Sequence, residues 1–251
     1  MVEIGANAVT SAQPDGYTLF VFSSGIALSK SLLKTMPFDP VTAFTPVSTL
    51  ALFDLLLLVK ADSPSRTVKD ALETARADPG KFNIGTINPG STQNVTAELL
   101  RSTTGIPMTV VPHRTSAEVL TSLLRGDTQI GVESYAALKS PIDGKQIRAI
   151  ASSGSRRSPM QPNVPTLKES GVDAAVDGWN SLVAPAGTPR EIIMHLNSHV
   201  RAIIGDPDFR KRMIELGGEP FPSSPEELDA RLKSDIEMWA AVVKKAGLEP
   251  N

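Results

Sequence analysis

Apolar positions along the chain fall into two patterns, short unbroken runs and longer amphipathic stretches. The runs at residues 17–22, 44–52 and 54–59 predict strands. Because residues 55–59 are all apolar, the third strand is expected to be buried on both faces. From residue 67 to residue 151, runs typical of strands alternate with segments of helical period. This alternation predicts βαβ units, and therefore a mostly parallel sheet with helices on its faces.

The later part of the chain begins with a segment rich in Ser, Arg and Pro. This segment, residues 152–176, predicts a surface crossover without a core of its own. Further on, Thr188 and Glu191 have the spacing of a capping box, so a helix is predicted to begin directly after Thr188. Asp206 and Ser224 are each followed by Pro and an acidic residue, and they predict the starts of two further helices.

Composition excludes several classes of protein. The 251 residues include no cysteine, and 25 Lys and Arg face 27 Asp and Glu, which gives a formal net charge of −2. Without cysteine, the chain can form no disulfide, thiol nucleophile or zinc-thiolate site. The near-zero charge and the aromatic content of 5% argue against a nucleic-acid partner. We therefore expect a small-molecule partner.

Two kinds of hydrophobic segment are missing from the sequence as given. No apolar run approaches the roughly 20 residues that cross a bilayer, so no membrane span is predicted. Residues 1–13 contain neither the basic stretch nor the apolar stretch of a secretory signal peptide. From these residues alone, the chain could be a cytoplasmic protein, a mature exported protein or a fragment.

Familiar catalytic motifs are also missing, including the nucleophile elbow, the phosphate-binding and dinucleotide-binding loops and the zinc-protease motif. His195 and His199 are one helical turn apart, as two metal ligands would be, but their helix offers no third ligand beside them. We interpret both as residues at the border of an apolar stripe, and predict no metal. A Ser-His-Asp triad would have to use His113, which the sequence does not favour. Neither an enzyme activity nor a cofactor is predicted.

Three polar segments, each directly after a predicted strand, form a candidate binding site. They are residues 86–91, 111–116 and 133–135. In a parallel sheet the carboxyl ends of the strands share one edge, where such folds bind ligands. The first segment leads into a helix whose unpaired N–H groups could bind a carboxylate, and Gly90 permits close approach. The alternative is an ordinary helix with Ser91 serving only as its cap.

A series of short motifs occurs in a fixed order along the chain. In sequence order they are Pro14-Asp15-Gly16-Tyr17-Thr18-Leu19, Phe38-Asp39-Pro40, Phe44-Thr45-Pro46-Val47, Gly90-Ser91, Val111-Pro112, Gly126-Asp127, Arg157-Ser158, Pro162-Asn163-Val164-Pro165-Thr166, Trp179 and Ala184-Pro185-Ala186-Gly187-Thr188-Pro189. Together they resemble the Bug family, the extracytoplasmic solute receptors of tripartite tricarboxylate transporters. The resemblance runs from Ile4 to Gly247, and the collinear order makes it more specific than any single motif.

The resemblance implies a periplasmic-binding-protein type II fold, with two α/β domains around a ligand cleft, and no enzyme activity. One domain is expected from residues 1–60 and 185–251 and the other from residues 61–184, with crossings near Lys60 and Pro185. The expected ligand is a small carboxylate, namely a dicarboxylate, tricarboxylate, amino acid or aromatic acid. The expected partners are the membrane subunits of a tripartite tricarboxylate transporter, and the expected location is the periplasm.

The resemblance also implies ligand-binding residues. A family loop of pattern S-x-G-x-G-S-x-x-H-L aligns here with five residues, Thr86, Asn88, Gly90, Ser91 and Asn94. Thr86, Asn88 and Asn94 therefore replace the first Ser, the first Gly and the His of the pattern. A second family loop, V-P-Y-K-G, aligns with residues 111–115 and places His113 and Arg114 at its Tyr and Lys. Glu133 and Ser134, from the third polar segment, complete the candidate set. The departures leave the identity of the carboxylate open.

One part of the family pattern is not present in the sequence. Family chains begin with an export signal, a first strand and a glycine-rich loop that supplies half of the ligand grip, and this sequence starts after all three. We therefore expect an incomplete N-terminus, a fold without its first strand, and weakened binding of ligand.

Two other functions stay open at this point. The same fold could be the ligand-sensing module of a regulatory or signalling system, and the reading frame upstream would distinguish this from a receptor. A hydrolase that uses His113 is the third possibility, and the missing catalytic motifs argue against it.

Overall fold

The computed structural model describes residues 2–249, with side chains from residue 5 onward. This chain divides into two compact units. The first comprises Trp179–Ala241 with the described residues up to Leu52 and those after Gly247, and the second comprises Phe53–Gly178 and Val242–Gly247. The domain bounds expected from the sequence, 1–60 with 185–251 and 61–184, stay predictions.

Helices and strands alternate through most of the described chain. The helices are α1 (Val2–Thr10), α2 (Gly25–Leu32), α3 (Val68–Ala77), α4 (Thr92–Thr104), α5 (Ser116–Arg125), α6 (Lys139–Asp143), α7 (Arg190–Gly205), α8 (Pro207–Glu215) and α9 (Pro225–Lys245). The strands are β1 (Phe20–Ser23), β2 (Phe44–Lys60), β3 (Asn83–Ile87), β4 (Thr109–His113), β5 (Ile130–Ser134), β6 (Ile147–Ser152), β7 (Asp177–Pro185) and β8 (Glu219–Pro220). Residues 153–176, predicted as a crossover, contain no named helix or strand.

The first unit is built on antiparallel strands and an aromatic cluster. Strand β1 pairs antiparallel with β7, which lies between β1 and β2, and β8 pairs antiparallel with β2. Phe20, Phe22, Phe44 and Trp179 pack with ring centroids 5.5 to 6.2 Å apart. Because aromatic side chains bury large areas, this cluster holds β1 and β7 to the start of β2.

The second unit contains the parallel strands. Strand β3 pairs in parallel with both β4 and β5, giving the local order β5-β3-β4. Helices α4 and α5 pack on these strands. Leu55 to Val59 of β2 are at most 1% exposed, which confirms the prediction that this apolar run is buried on both faces.

The prediction of a mostly parallel sheet is wrong for the sheet as a whole. Strand β2 runs antiparallel to both β5 and β6, so the sheet is mixed. The two strands predicted over residues 44–59 are a single continuous strand of 17 residues. The apolar run correctly indicates burial on both faces, but burial does not specify the direction of the neighbouring strands, which depends on how the chain returns.

Of the three helix starts predicted after residue 176, those at Asp206 and Ser224 are confirmed and the one at Thr188 is displaced. Thr67 and Asp70 form a complete capping box at α3, and Asp206 accepts a hydrogen bond from the Phe209 N–H at 2.8 Å. Helix α9 begins directly after Ser224, as predicted, and the Ser224 hydroxyl accepts a hydrogen bond from the Glu227 N–H. The predicted cap at Thr188 is wrong, because its hydroxyl donates to the Pro185 carbonyl at 2.8 Å and α7 begins one residue later than expected, at Arg190.

A buried polar network joins β2, α7 and the segment before α9 in the first unit. Ser48 and Ser223 exchange hydrogen bonds at 3.0 and 3.1 Å, and both side chains are at most 3% exposed. Asn197, which is 4% exposed, donates to the carbonyl groups of Val47 and Ser223, each at 2.8 Å. Asn197 therefore ties α7 to β2 and to the segment before α9.

We predict that Asn197→Ala lowers the free energy of unfolding by about 1 to 3 kcal/mol, because two buried carbonyl groups each lose one donor. Urea unfolding measures the change. Ser198→Ala is the matched control, since Ser198 is exposed and bonds only within its own helix. Equal stabilities of the two variants would contradict this role of the network.

The capping box of α3 predicts a pH dependence of stability. Hydrogen bonds from the backbone N–H groups of Arg66 and Thr67 lower the pKa of Asp70 from its ordinary value of 3.8. A carboxyl group whose pKa is lower in the folded state stabilises that state above the unfolded pKa, and this stabilisation is lost as the pH falls through the folded pKa. We expect Asp70→Asn to lower the melting temperature near neutral pH, with the difference from the unsubstituted protein vanishing in acid.

The control for this prediction is Asp173→Asn, which removes an exposed carboxylate that caps no helix. If thermal unfolding gives the same gap for Asp70→Asn at neutral and acid pH, the charge of Asp70 does not stabilise the cap.

Candidate functional site

The three polar segments meet at one edge of the second unit. Strands β3, β4 and β5 are mutually parallel, and Ile87 at the end of β3 lies opposite His113 at the end of β4. Strand β5 ends in the same direction at Ser134. The prediction that these segments share the carboxyl edge of parallel strands is therefore confirmed. The amino ends of α4 and α5 follow directly from it.

Ser91 acts as the cap of α4. Its hydroxyl oxygen accepts a hydrogen bond from the Asn94 N–H at 3.1 Å, and its hydroxyl group donates to the Ile87 carbonyl at 3.1 Å. The sequence left open an ordinary helix capped by Ser91, and Ser91 does cap α4 in the structure. Its contribution to ligand binding stays a prediction.

Asn94 holds the loop between β3 and α4 in shape. Its Oδ1 accepts from the Gly90 N–H at 3.1 Å, and its Nδ2 donates to the Thr86 hydroxyl at 3.3 Å. Both side chains are buried, with Asn94 8% and Thr86 0% exposed. Gly90 has φ of 76°, in the left-handed region that favours glycine. Asn88, by contrast, is exposed at the tip of the loop.

The amino end of α4 presents two unpaired backbone donors. Among the described residues, the N–H groups of Thr92 and Gln93 have no hydrogen-bond partner. Unpaired N–H groups at a helix start carry a partial positive charge, which attracts anions. This end of the 13-residue helix can therefore receive a carboxylate oxygen.

The segment after β4 supplies a cation. The Arg114 N–H donates to Glu118 Oε2 at 2.8 Å, and the Glu118 N–H donates to the Thr115 hydroxyl at 3.2 Å at the start of α5. The Arg114 side chain is exposed, and within the described chain its guanidinium group forms no ion pair. A guanidinium group presents paired donors that match the two oxygens of a carboxylate.

His113 does not form a catalytic arrangement. Its side chain is half-buried, and its Nε2 atom is buried without a hydrogen-bond partner in the part of the chain that the structure describes. A triad histidine needs one ring nitrogen bonded to a nucleophile and the other to a carboxylate. The geometry at His113 meets neither condition.

Glu133, in the third segment, connects the second segment to the start of α4. It is 1% exposed, and its carboxylate accepts hydrogen bonds from Gln93 Nε2 at 3.0 Å and from Ser116 Oγ at 3.0 Å. The Ser134 N–H donates to it at 2.8 Å, and the Ser134 hydroxyl donates at 3.3 Å. Gln93 was not identified as a site residue from the sequence, and Ser116 entered only as the last residue of the second polar segment. Their positions, within the first two residues of α4 and α5, are the signal that could have revealed them.

Two residues that sequence reasoning missed, Lys139 and Asp143, follow β5 and contact Tyr135 of the third polar segment. Tyr135 donates to Asp143 at 2.9 Å, and Lys139 pairs with the same carboxylate at 2.6 Å. Burial, and then the neighbouring Asp143, raises the pKa of Tyr135, whereas Lys139 and then Tyr135 lower the pKa of Asp143. Because Asp143 already pairs with Lys139, the cation available to an anion in the three segments is Arg114.

Two other features of the described chain are less suited to the expected ligand. A pocket of about 300 Å³ lies at the opposite edge of the same unit, beside Phe82 and Gln129, which directly precede β3 and β5. His195 and His199 are exposed, with ring centroids 4.4 Å apart. Among the described residues, no group of three or more His, Cys, Asp or Glu side chains could hold a metal ion.

In residues 2–249, no helix combines enough length with enough apolar character to cross a membrane.

Comparison with known proteins identifies the relatives of this chain. The family described as tripartite tricarboxylate transporter family receptor matches residues 2–248. Among solved structures, R. palustris Rpa4515 with adipate is 33% identical, with a TM-score of 0.87 over 99% of this chain and 84% of that chain.

Two further solved structures are similar. Periplasmic binding protein BugD is 27% identical, with a TM-score of 0.84 over 99% of this chain and 84% of that chain. MatC from Rhodopseudomonas palustris with bound malate is 27% identical, with a TM-score of 0.80 over 96% of this chain and 84% of that chain.

The hydrogen bonds of Asn94 predict the effect of its removal. Asn94→Ala leaves the Gly90 N–H and the buried Thr86 hydroxyl without their partner, so we expect the free energy of unfolding to fall by about 1 to 3 kcal/mol. Chemical unfolding measures the loss, and amide exchange at Gly90 should become faster. Asn88→Ala, at an exposed loop position, is the control and should change neither quantity. Unchanged exchange at Gly90 in Asn94→Ala would show that Asn94 does not hold the loop.

Proposed function

Since this chain belongs to the tripartite tricarboxylate transporter receptor family, we propose that it is an extracytoplasmic receptor that captures a small carboxylate. In this proposal, it delivers the ligand to the membrane subunits of a tripartite tricarboxylate transporter, works in the periplasm and catalyses no reaction. Family and fold are those of solute-binding proteins.

The family resemblance and the fold class predicted from the sequence are confirmed. The match extends over residues 2–248, and BugD, a periplasmic binding protein, shares the fold. The mixed α/β architecture agrees with these relatives. The hinge positions near Lys60 and Pro185 stay predictions.

The observation that carries the proposal is the combination of donors at the carboxyl edge of β3, β4 and β5. In the described chain, the N–H groups of Thr92 and Gln93 and the guanidinium group of Arg114 have no partner, and they follow strands that end at this edge. Two relatives support an anionic ligand, because their structures contain adipate and malate. Both compounds are dicarboxylates, so we propose a dicarboxylate as the first class to test.

The candidate residues take different parts in this proposal. Gly90 and Asn88 are exposed at the loop tip and Arg114 is exposed beside it, so these three contact the ligand directly. Thr86 and Asn94 are buried and bonded to each other, and they support the loop from below. Ser91 caps α4 and thereby keeps its amino end open to the ligand. His113 and Ser134 line the edge beside them.

A ligand panel tests the proposal. We expect millimolar adipate, malate or a related carboxylate to raise the melting temperature, because a ligand that binds only the folded state stabilises it. Neutral analogues with amides in place of the carboxylates are the matched control and should give no shift. If a broad panel of dicarboxylates, tricarboxylates, amino acids and aromatic acids gives no shift in melting temperature or heat of binding, the proposed function is wrong.

Arg114→Gln tests the cation directly. We expect a loss of about 1.5 to 3 kcal/mol in carboxylate affinity, the range for a hydrogen bond to a charged group, measured by isothermal titration calorimetry. Arg125→Gln is the matched control, since Arg125 is an exposed arginine at the opposite end of α5. Equal affinities of the two variants would remove Arg114 from the site.

A further inference from the structure

Glu133 is a buried carboxylate at an edge that is otherwise suited to bind anions. It is 1% exposed, at the end of β5, and both of its oxygens accept hydrogen bonds. Oε1 accepts from Gln93 and from the backbone and side chain of Ser134, and Oε2 accepts from Ser116. A buried charge is tolerated only when its hydrogen-bonding capacity is met, and here four donors surround it.

This arrangement makes Glu133 a poor contact for a carboxylate ligand. Its oxygens are already bonded to groups of the protein, and a second carboxylate brought against them would be repelled. An attractive contact would require a cationic ligand group that displaced at least one of the present donors.

The partners of Glu133 belong to three different elements. Gln93 is the second residue of α4, Ser116 is the first residue of α5, and Ser134 is the last residue of β5. The hydrogen bonds from Gln93 and Ser116 therefore join the amino ends of both helices through the Glu133 carboxylate group. A change at Glu133 reaches both helix starts at once.

We infer that Glu133 is a positioning residue, which sets the helix starts of α4 and α5 in place for an anion while it makes no contact with the ligand itself. The inference rests on the proposed function for the identity of the ligand. Its structural part, the coupling of the two helix starts, can be measured without any ligand.

The first experiment follows amide hydrogen exchange in the ligand-free protein. Glu133→Gln and Glu133→Ala should both accelerate exchange by about fivefold at the hydrogen-bonded amides of Asn94 and Glu118 together, with the larger change in Glu133→Ala. Glu169→Gln is the matched control, because Glu169 also accepts a backbone hydrogen bond and pairs with Arg157, but it lies in neither helix start. Acceleration confined to the neighbourhood of Ser134 would overturn the inference.

The second experiment measures adipate affinity by calorimetry in a double-mutant cycle. Glu133→Ala and Ser116→Ala should each weaken binding by about tenfold. The affinity of the double variant should match that of the weaker-binding single variant within about twofold, since both substitutions remove the hydrogen bond between Ser116 and Glu133. When Glu133→Ala is combined with Arg114→Gln, the two losses of affinity should instead multiply, because Arg114 acts on the ligand directly.

The same cycle separates positioning from contact. Stronger adipate binding in Glu133→Gln would show that the carboxylate faces and repels the ligand, and fully multiplicative losses in the Glu133 and Ser116 pair would show independent actions. Either result overturns the inference. A merely structural role would lower the melting temperature and leave the affinity of the folded protein unchanged, which also contradicts positioning. If the unsubstituted protein binds no carboxylate, the proposed function fails, while the exchange experiment still decides the coupling.

Discussion

Parallel pairing of β3 with β4 and β5 determines where the polar chemistry of the second unit lies. Each of these strands ends in a polar segment, and parallel directions bring the three ends to a single edge. The same directions place the amino ends of α4 and α5 there. A reversal of one strand would send its polar segment to the opposite edge, where Phe82 and Gln129 border a separate pocket. The proposed carboxylate site depends on this constraint more than on any single side chain.

Within that edge, an internal anion and the proposed ligand anion have separate donors. Glu133 takes the side chains of Gln93 and Ser116, whereas the backbone N–H groups of Thr92 and Gln93 stay unpaired. Asn94 similarly accepts a hydrogen bond from the Gly90 N–H, which holds the loop in shape. The Gly90 N–H is therefore not available to the ligand. Rigid placement of the remaining donors reduces the ordering that binding would require.

The sequence predicts the local features of this fold better than its long-range ones. The cap at Thr67 and the left-handed Gly126 after α5 follow from residue type and spacing alone. The antiparallel direction of β2 could not be predicted, because an apolar run specifies burial and not the direction of its neighbours. The site shows the same division. Its three polar segments are visible in the sequence, but the bonds from Gln93 and Ser116 to Glu133 join residues 40 and 17 positions apart and require the folded chain.

Binding of a carboxylate at the carboxyl edge of β3, β4 and β5 can be tested by titrating adipate into ¹⁵N-labelled protein and following the NMR spectrum. We expect the largest chemical-shift changes at the amide groups of Thr92 and Gln93 and at the side-chain N–H of Arg114. Saturable changes confined instead to the pocket beside Phe82 and Gln129, with the helix starts unaffected, would contradict it.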